Sequence, residues 1–182
     1  MKLYRAKVPE IAREAIVSLT STGDIEVNDL EEAQQDLVAI MEEFLRRDGD
    51  LRRSVKDQMA RRNLPYGEYG RTRKAVAEEM DHPMGDDVER FLARQFIENL
   101  MISRFVEEVY AEDDAMYKKV IEVLRGYDVD EEALREEAAS KVKNVKQGTV
   151  EYEIALRDAL RDVKRRHGLI EDRRPPGGER RR

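Results

Sequence analysis

The stretch Leu30-Glu31-Glu32-Ala33-Gln34-Gln35-Asp36-Leu37-Val38-Ala39-Ile40-Met41-Glu42-Glu43-Phe44-Leu45 decides the fold class. Its apolar residues, Leu30, Ala33, Leu37, Ile40, Met41, Phe44 and Leu45, recur at spacings of three and four and so form one face of an α-helix. Asn28 reads as the N-cap, with Glu31 at the third helical position to complete a capping box. Asp48-Gly49-Asp50 interrupts the stripe, and Leu51, Val55 and Met59 resume it. Upstream, Val8, Ile11, Ala12, Ile16 and Leu19 make a shorter helix with Pro9 in its first turn. It stops at Ser21-Thr22-Gly23-Asp24, and Ile25-Glu26-Val27 has room for one short extended piece. Downstream, Asn63-Leu64-Pro65-Tyr66-Gly67 is a loop, and a further helix is expected from about Tyr69 to Met80.

After the break His82-Pro83-Met84-Gly85, the same alternation returns. Asp86 with Glu89 forms a second candidate capping box, ahead of Val88, Phe91, Leu92, Phe96 and Leu100. The segment Phe105-Val106-Glu107-Glu108-Val109 precedes a helix carrying Met116, Tyr117, Val120, Ile121 and Leu124. Asp128 with Glu131 opens another, through Leu134, Ala138 and Val142. The last helix presents Tyr152, Leu156, Leu160 and Val163. The two series align at a displacement of 80 residues: Val8 with Val88, Ile16 with Phe96, Ile25 with Phe105, Met41 with Ile121, Asp48 with Asp128. Beyond that the displacement is 83, placing Leu51 on Leu134 and Tyr69 on Tyr152. The expectation is an all-α protein of two tandem helical repeats of about four helices each, packed together, at residues 1–82 and 83–170. Residues 171–182 carry Pro175-Pro176-Gly177-Gly178 and five arginines without periodicity, and are read as a disordered tail.

Composition narrows the function classes. The 182 residues include 34 Lys or Arg, 40 Asp or Glu, two His and no Cys, giving a net charge of −6. Charged residues make up 41%, well above the usual quarter, and mean hydropathy is −0.76. The regular apolar spacing argues against disorder in spite of that charge. Without cysteine there is no disulfide framework, Cys-ligated zinc or thiol catalysis. No apolar run approaches the roughly 20 residues that span a bilayer, and Met1–Pro9 has no apolar core of a signal peptide. A cytoplasmic location is therefore expected.

The segments Val120-Ile121-Glu122-Val123-Leu124, Asp128-Val129-Asp130-Glu131-Glu132, Gly148-Thr149-Val150-Glu151-Tyr152 and Lys164-Arg165-Arg166-His167-Gly168-Leu169 resemble the bacterial domain-of-unknown-function family 507, chiefly over residues 87–169. The opening Met1-Lys2-Leu3 and the Ile11-Ala12-Arg13 helix resemble family starts. The resemblance implies a small, charged, helical bacterial protein and carries no catalytic residue with it.

Chemical motifs are sparse. No Ser-His-Asp order, HExxH or P-loop pattern occurs, and a carboxylate-bridged di-metal bundle needs two Glu-x-x-His pairs, whereas His167 has Lys164 three residues before it. His82 in its loop and His167 at a helix end read as capping or surface residues, the latter favoured by the helix dipole. Glu112-Asp113-Asp114 and Asp128-x-Asp130-Glu131-Glu132 have the oxygens for a hard cation, but also sit where helix N-termini prefer carboxylates. No catalytic, cofactor or metal residue is assigned. Charge is distributed unevenly. Residues 46–74 hold ten basic against four acidic side chains and 161–182 nine against four, whereas 1–45 hold four against ten and 105–140 four against twelve. Arg61, Arg62, Arg71, Arg73, Lys74, Arg180, Arg181 and Arg182 are thus candidates for contact with phosphate or an acidic partner, with Tyr66 and Tyr69 placed to stack on bases. The expected function is a non-enzymatic protein–protein interaction or scaffold module with acidic and basic faces, whose partner is another protein or a second copy. The alternative is an RNA-, DNA- or ribosome-associated protein using the Arg-rich segments, and an enzyme with a site hidden in the fold is a third reading.

Overall fold

The computed structural model describes residues 1–142 and 145–170. Seven α-helices and one short antiparallel ribbon make up the described chain. In order they are α1 (Val8–Ser21), β1 (Ile25–Val27), α2 (Leu30–Arg61), α3 (Tyr69–Glu79), α4 (Asp87–Leu100), β2 (Val106–Val109), α5 (Asp113–Gly126), α6 (Glu131–Lys141) and α7 (Val150–Arg166). The protein is all-α in class. Among the described residues, no helix is long and apolar enough to cross a membrane. The expected disordered tail, 171–182, lies outside the described residues, as do Arg180, Arg181 and Arg182.

Two compact units are present. The first comprises Met1–Leu3 and Val8–Asp128, the second Tyr4–Lys7 with the described residues from Val129 onward. The repeat boundary expected between residues 82 and 83 falls inside the first unit. There α1 packs on α2 and on α5, α4 packs on α5 and on α2, and β1 pairs with β2. These contacts bury Ile11, Ile16, Leu19, Leu37, Met41, Leu92, Phe96, Leu100, Met116 and Leu124 in one cluster. In the second unit α6 packs on α7, and Leu134, Ala138, Leu156 and Val163 close around Tyr4 and Leu169.

The long helix departs from the sequence expectation. Instead of breaking at Asp48-Gly49-Asp50, α2 runs unbroken for 32 residues. Residues 1–82 therefore hold three α-helices rather than about four, whereas α4 to α7 supply four after residue 82. The expected break is instead a polar residue within the stripe. Leu37, Met41, Phe44, Asp48, Leu51 and Val55 alternate by four and three and are all buried, so the apolar face continues through Asp48. Beyond it the face packs on α3, joining Leu51 and Val55 to Val76 and Ala77.

The caps also move. Asp29, not Asn28, caps α2, its Oδ1 accepting from the Glu32 amide at 3.1 Å. Asn28 instead reaches across, donating from Nδ2 to the Arg104 carbonyl at 3.1 Å. Asp130 rather than Asp128 caps α6, accepting from the amides of Glu132 at 2.9 Å and Ala133 at 3.0 Å. Asp86 makes no side-chain cap, and Glu89 is buried against Arg125 Nε at 3.1 Å. Local spacing marked the neighbourhood of each helix start, whereas the residue that caps is the one whose backbone turns extended.

A continuous α2 makes a direct prediction at Gly49, where an added Cβ would meet nothing within 4 Å. Gly49→Ala is expected to stabilise the protein by roughly 0.5–1 kcal/mol through the lower helix entropy cost. Urea unfolding followed by circular dichroism measures this, and a loss of stability would contradict an unbroken helix.

Candidate functional site

Asp48 is the centre of the most organised polar cluster in the first unit. The helix that carries it must bury this face, so the carboxylate enters the interior with the leucines on either side and needs compensation there. It receives three cationic or ionisable groups. Arg52, one helical turn on, donates from Nη2 to Asp48 Oδ2, and Arg73 of α3 donates from Nη2 to Oδ1 at 3.2 Å. His82 Nε2 stands 3.8 Å from the same Oδ1. Asp48 is held at about 2, below its ordinary 3.8, by His82 foremost and then by Arg52 and Arg73, against the opposing effect of burial.

His82 is not the surface residue that its loop position suggested. Its side chain is 1% exposed and its ring stacks on Phe44 at 5.0 Å between centroids. The short loop after α3 is pinned by its backbone, His82 N donating to the Ala77 carbonyl at 2.9 Å. Arg47 fastens the same loop, donating from Nη2 to the carbonyls of Met80 at 3.2 Å and Asp81 at 3.1 Å. His82 Nδ1 is buried without a partner. On one side of His82 lies an open groove of about 630 Å³ between α3 and α4, edged by Lys74, Glu78, Asp81, Arg94 and Glu98. On the side of Asp48 lies a smaller cleft of about 310 Å³ lined in part by Arg52, Arg73 and Phe44.

The basic residues singled out from the sequence are dispersed by the fold. Arg73 turns inward to Asp48, and Arg71 pairs with Glu68 at 3.3 Å. Lys74 edges the α3–α4 groove, while Arg61 and Arg62 are exposed at the C-terminal end of α2. Arg61, Arg62 and Lys74 form no ion pair among the described residues. Tyr66 is 86% exposed and stacks on Tyr69 at 5.9 Å. His167, by contrast, ends α7 as expected, with Nε2 2.9 Å from Glu137 Oε2. Among the described residues no cluster of three His, Asp or Glu has the geometry to hold a metal ion.

A second distinctive surface surrounds the β1–β2 ribbon. Its register sets Ile25 opposite Val109, Glu26 opposite Glu108 and Val27 opposite Val106, with Glu107 as the extra residue of a bulge. Two glutamates directly opposite repel one another. Tyr110 hydroxyl donates to Glu26 Oε2 at 2.8 Å, and that bond foremost raises the phenol above its ordinary range. At the ribbon's end, Asn28 N donates to the Phe105 carbonyl at 3.0 Å and Ser103 Oγ to Asp36 Oδ2 at 2.6 Å. These bonds hold the loop bearing exposed Met101 and Ile102 against the start of α2, where Leu30 is exposed beside Asp29, Glu31 and Glu32. Ile102 is 83% exposed.

The family model described as protein of unknown function (DUF507) matches residues 1–169. The chain belongs to the DUF507 family. The match covers both halves, although the likeness seen in the sequence rested mainly on residues 87–169. No curated protein matches the chain. The family assignment carries no activity, so the function of this DUF507 protein has to be argued from its own side chains.

Sequence reasoning missed Asp48 and Arg52 as site residues. The available signal was Asp48 at a stripe position with arginine four residues on, the spacing at which helical side chains meet. Asp48 keeps its charge through these partners, so its contribution to stability is present above the unfolded value of 3.8 and is lost as pH falls toward about 2. The difference is worth roughly 2 kcal/mol. Asp48→Asn should therefore lower stability by about that amount at pH 7, and the gap to wild type should close between pH 4 and pH 2. Urea midpoints for both proteins across that range test the assignment.

Proposed function

We propose that this DUF507 protein is a non-enzymatic interaction module of the cytoplasm whose docking surface is the acidic, apolar end around the β1–β2 ribbon. The observation that carries the reading is the pairing of Glu26 with Glu108 beside exposed Tyr110, together with the exposure of Ile102 and Met101. Facing glutamates are a strain that a Lys or Arg from a partner relieves, and an exposed aliphatic group ringed by charge has the anatomy of an interface centre and rim. The partner this chemistry selects is a protein with a basic rim around an apolar pocket. Charge of this kind sets encounter rate and specificity more than affinity, the anchor being Ile102.

The reciprocal packing in the first unit supports a duplicated origin. Helix α1 packs on α5 as α4 packs on α2, the exchange expected of two copies, α1–β1–α2 and α4–β2–α5, related by a two-fold. The ribbon is then the strand pair shared by the copies.

Arg61, Arg62, Lys74 and exposed Tyr66 support the second reading, contact with RNA or DNA. Against it weigh the inward turn of Arg73 to Asp48 and the pairing of Arg71 with Glu68.

Capture of partners by the intact protein from its own cells, with and without nuclease, separates the two. The docking reading expects a nuclease-resistant protein partner that is released in roughly 1 M salt, where charges are screened beyond about 3 Å. Ile102→Ser and the pair Glu26→Lys with Glu108→Lys should each abolish its capture; retention by both rejects the surface. For the nucleic-acid reading, heparin retention at low salt should disappear on neutralising Arg61, Arg62 and Lys74. Unchanged retention removes it.

A further inference from the structure

The second unit leaves one helix face uncovered. Its helices α6 and α7 close on each other through Leu134, Ala138, Leu156 and Val163. On the outer side of α7, Val150 is 73% exposed and Ile154, one turn on, is 47% exposed. Beside them runs an open groove of about 500 Å³ between α6 and α7, with half-buried Leu160 on its wall. Exposed aliphatic groups next to a groove mark a place where another surface packs. A pair of helices has little interior of its own, and units that small are commonly completed by association.

The charges of the groove narrow the occupant. It is lined by Glu131, Glu132 and Arg135 of α6 and by Glu153 and Arg157 of α7. Glu131 is held by Lys164 at 2.9 Å. Among the described residues Glu132, Arg135 and Glu153 have no ion pair, and Arg157 meets only its chain neighbour Asp158, at 3.7 Å. Two carboxylates and two guanidinium groups remain, so a partner of a single charge gains at half of them and loses at the other half. The order along α7 decides the rest. Val150, Glu153, Arg157 and Leu160 follow the three-four-three spacing of a packing seam. Two such helices laid antiparallel about a two-fold at Ala155 set Val150 opposite Leu160 and Glu153 opposite Arg157, each pair occurring twice. A two-fold contact requires that where one residue meets another, the reverse contact also fits, and all four layers meet that condition. A parallel arrangement fails it, because Glu153 would face Glu153 and Arg157 would face Arg157.

We propose that α7 docks antiparallel on α7 of a second copy of this chain, each helix lying along the other's groove, so that two second units complete a four-helix bundle. Val150, Ile154 and Leu160 supply the apolar contact, and the Glu153–Arg157 pairs set its direction. Charges at such positions specify register and orientation more than strength. The ribbon surface uses none of these residues, and either surface can fail alone.

Sedimentation of the intact protein at rising concentration is the test. The mass should climb from 21.2 kDa toward twice that value. Val150→Glu alters a side chain that the fold leaves exposed, at a helix start where a carboxylate is favoured, so the chain should fold as before and fail to pair. Glu153→Arg and Arg157→Glu each turn two attractions into two repulsions and should weaken association roughly tenfold. Mixed in equal amounts, these two variants should pair with each other as tightly as wild type, because every opposed layer is then complementary again. A protein that stays monomeric into the hundreds of micromolar overturns the proposal, whether a different protein or the chain's own residues 171–182 occupy the face. A dimer indifferent to Val150→Glu also overturns it, and mixed variants that remain apart overturn the antiparallel register.

Discussion

The first unit depends on one shared apolar seam. A helix pair such as α1 and α2 with a three-residue strand between them has too little interior to fold on its own. The same holds for α4 and α5. Ile16, Leu19, Leu37 and Met41 from the first set and Phe96, Leu100, Met116 and Leu124 from the second disappear into a single cluster, and each set supplies the other with the wall it lacks. The ribbon follows from this docking. Strands of three and four residues are marginal alone, and they pair because the helices on either side hold them in register. The polar bonds at the ribbon ends, Asn28 to the Arg104 and Phe105 backbone and Lys119 to Asp24, then fix the approach of the connecting loops.

A second constraint comes from the length of α2. Only its first part lies in the seam, and its continuation past Phe44 carries a smaller cluster with α3. Asp48 sits where the two clusters meet. A carboxylate there is costly unless every oxygen is answered, and removing any one partner from a buried charged group is more damaging than never having the group. The arrangement therefore ties α2, α3 and the loop to His82 into one geometry. It also presents the Arg52 and Arg73 side chains at a cleft.

Much of the helical content could be read from period alone. The stripes through Val8 to Leu19, Val88 to Leu100 and Met116 to Leu124 mark α1, α4 and α5 within three residues of their ends. The failures have a common form. Asp48-Gly49-Asp50 has the polarity of a break but the position of a stripe, and Asn28 and Asp128 fit the capping-box spacing although their neighbours Asp29 and Asp130 are the residues that cap. The site was less legible. Asp48 and Arg52 stand four apart and could have been paired, but Arg73 is 25 residues from Asp48 and His82 is 34. No local rule joins those distances. The basic run 61–74 was legible as charge and misleading as a surface, because α3 turns Arg73 inward to Asp48 while Arg71 and Lys74, three residues apart, stay exposed.

The sequence by itself determined the class of this protein, the places of its helices and its uneven charge, because the 3.6-residue period and the caps act within a few neighbouring residues. Only the tertiary structure decided that the strands at Ile25 and Val106 would pair, that Glu26 would face Glu108, and that Asp48 would hold Arg73 and lie beside His82. Those outcomes depend on which apolar faces meet. That choice is made by burial over the whole unit rather than by any one segment.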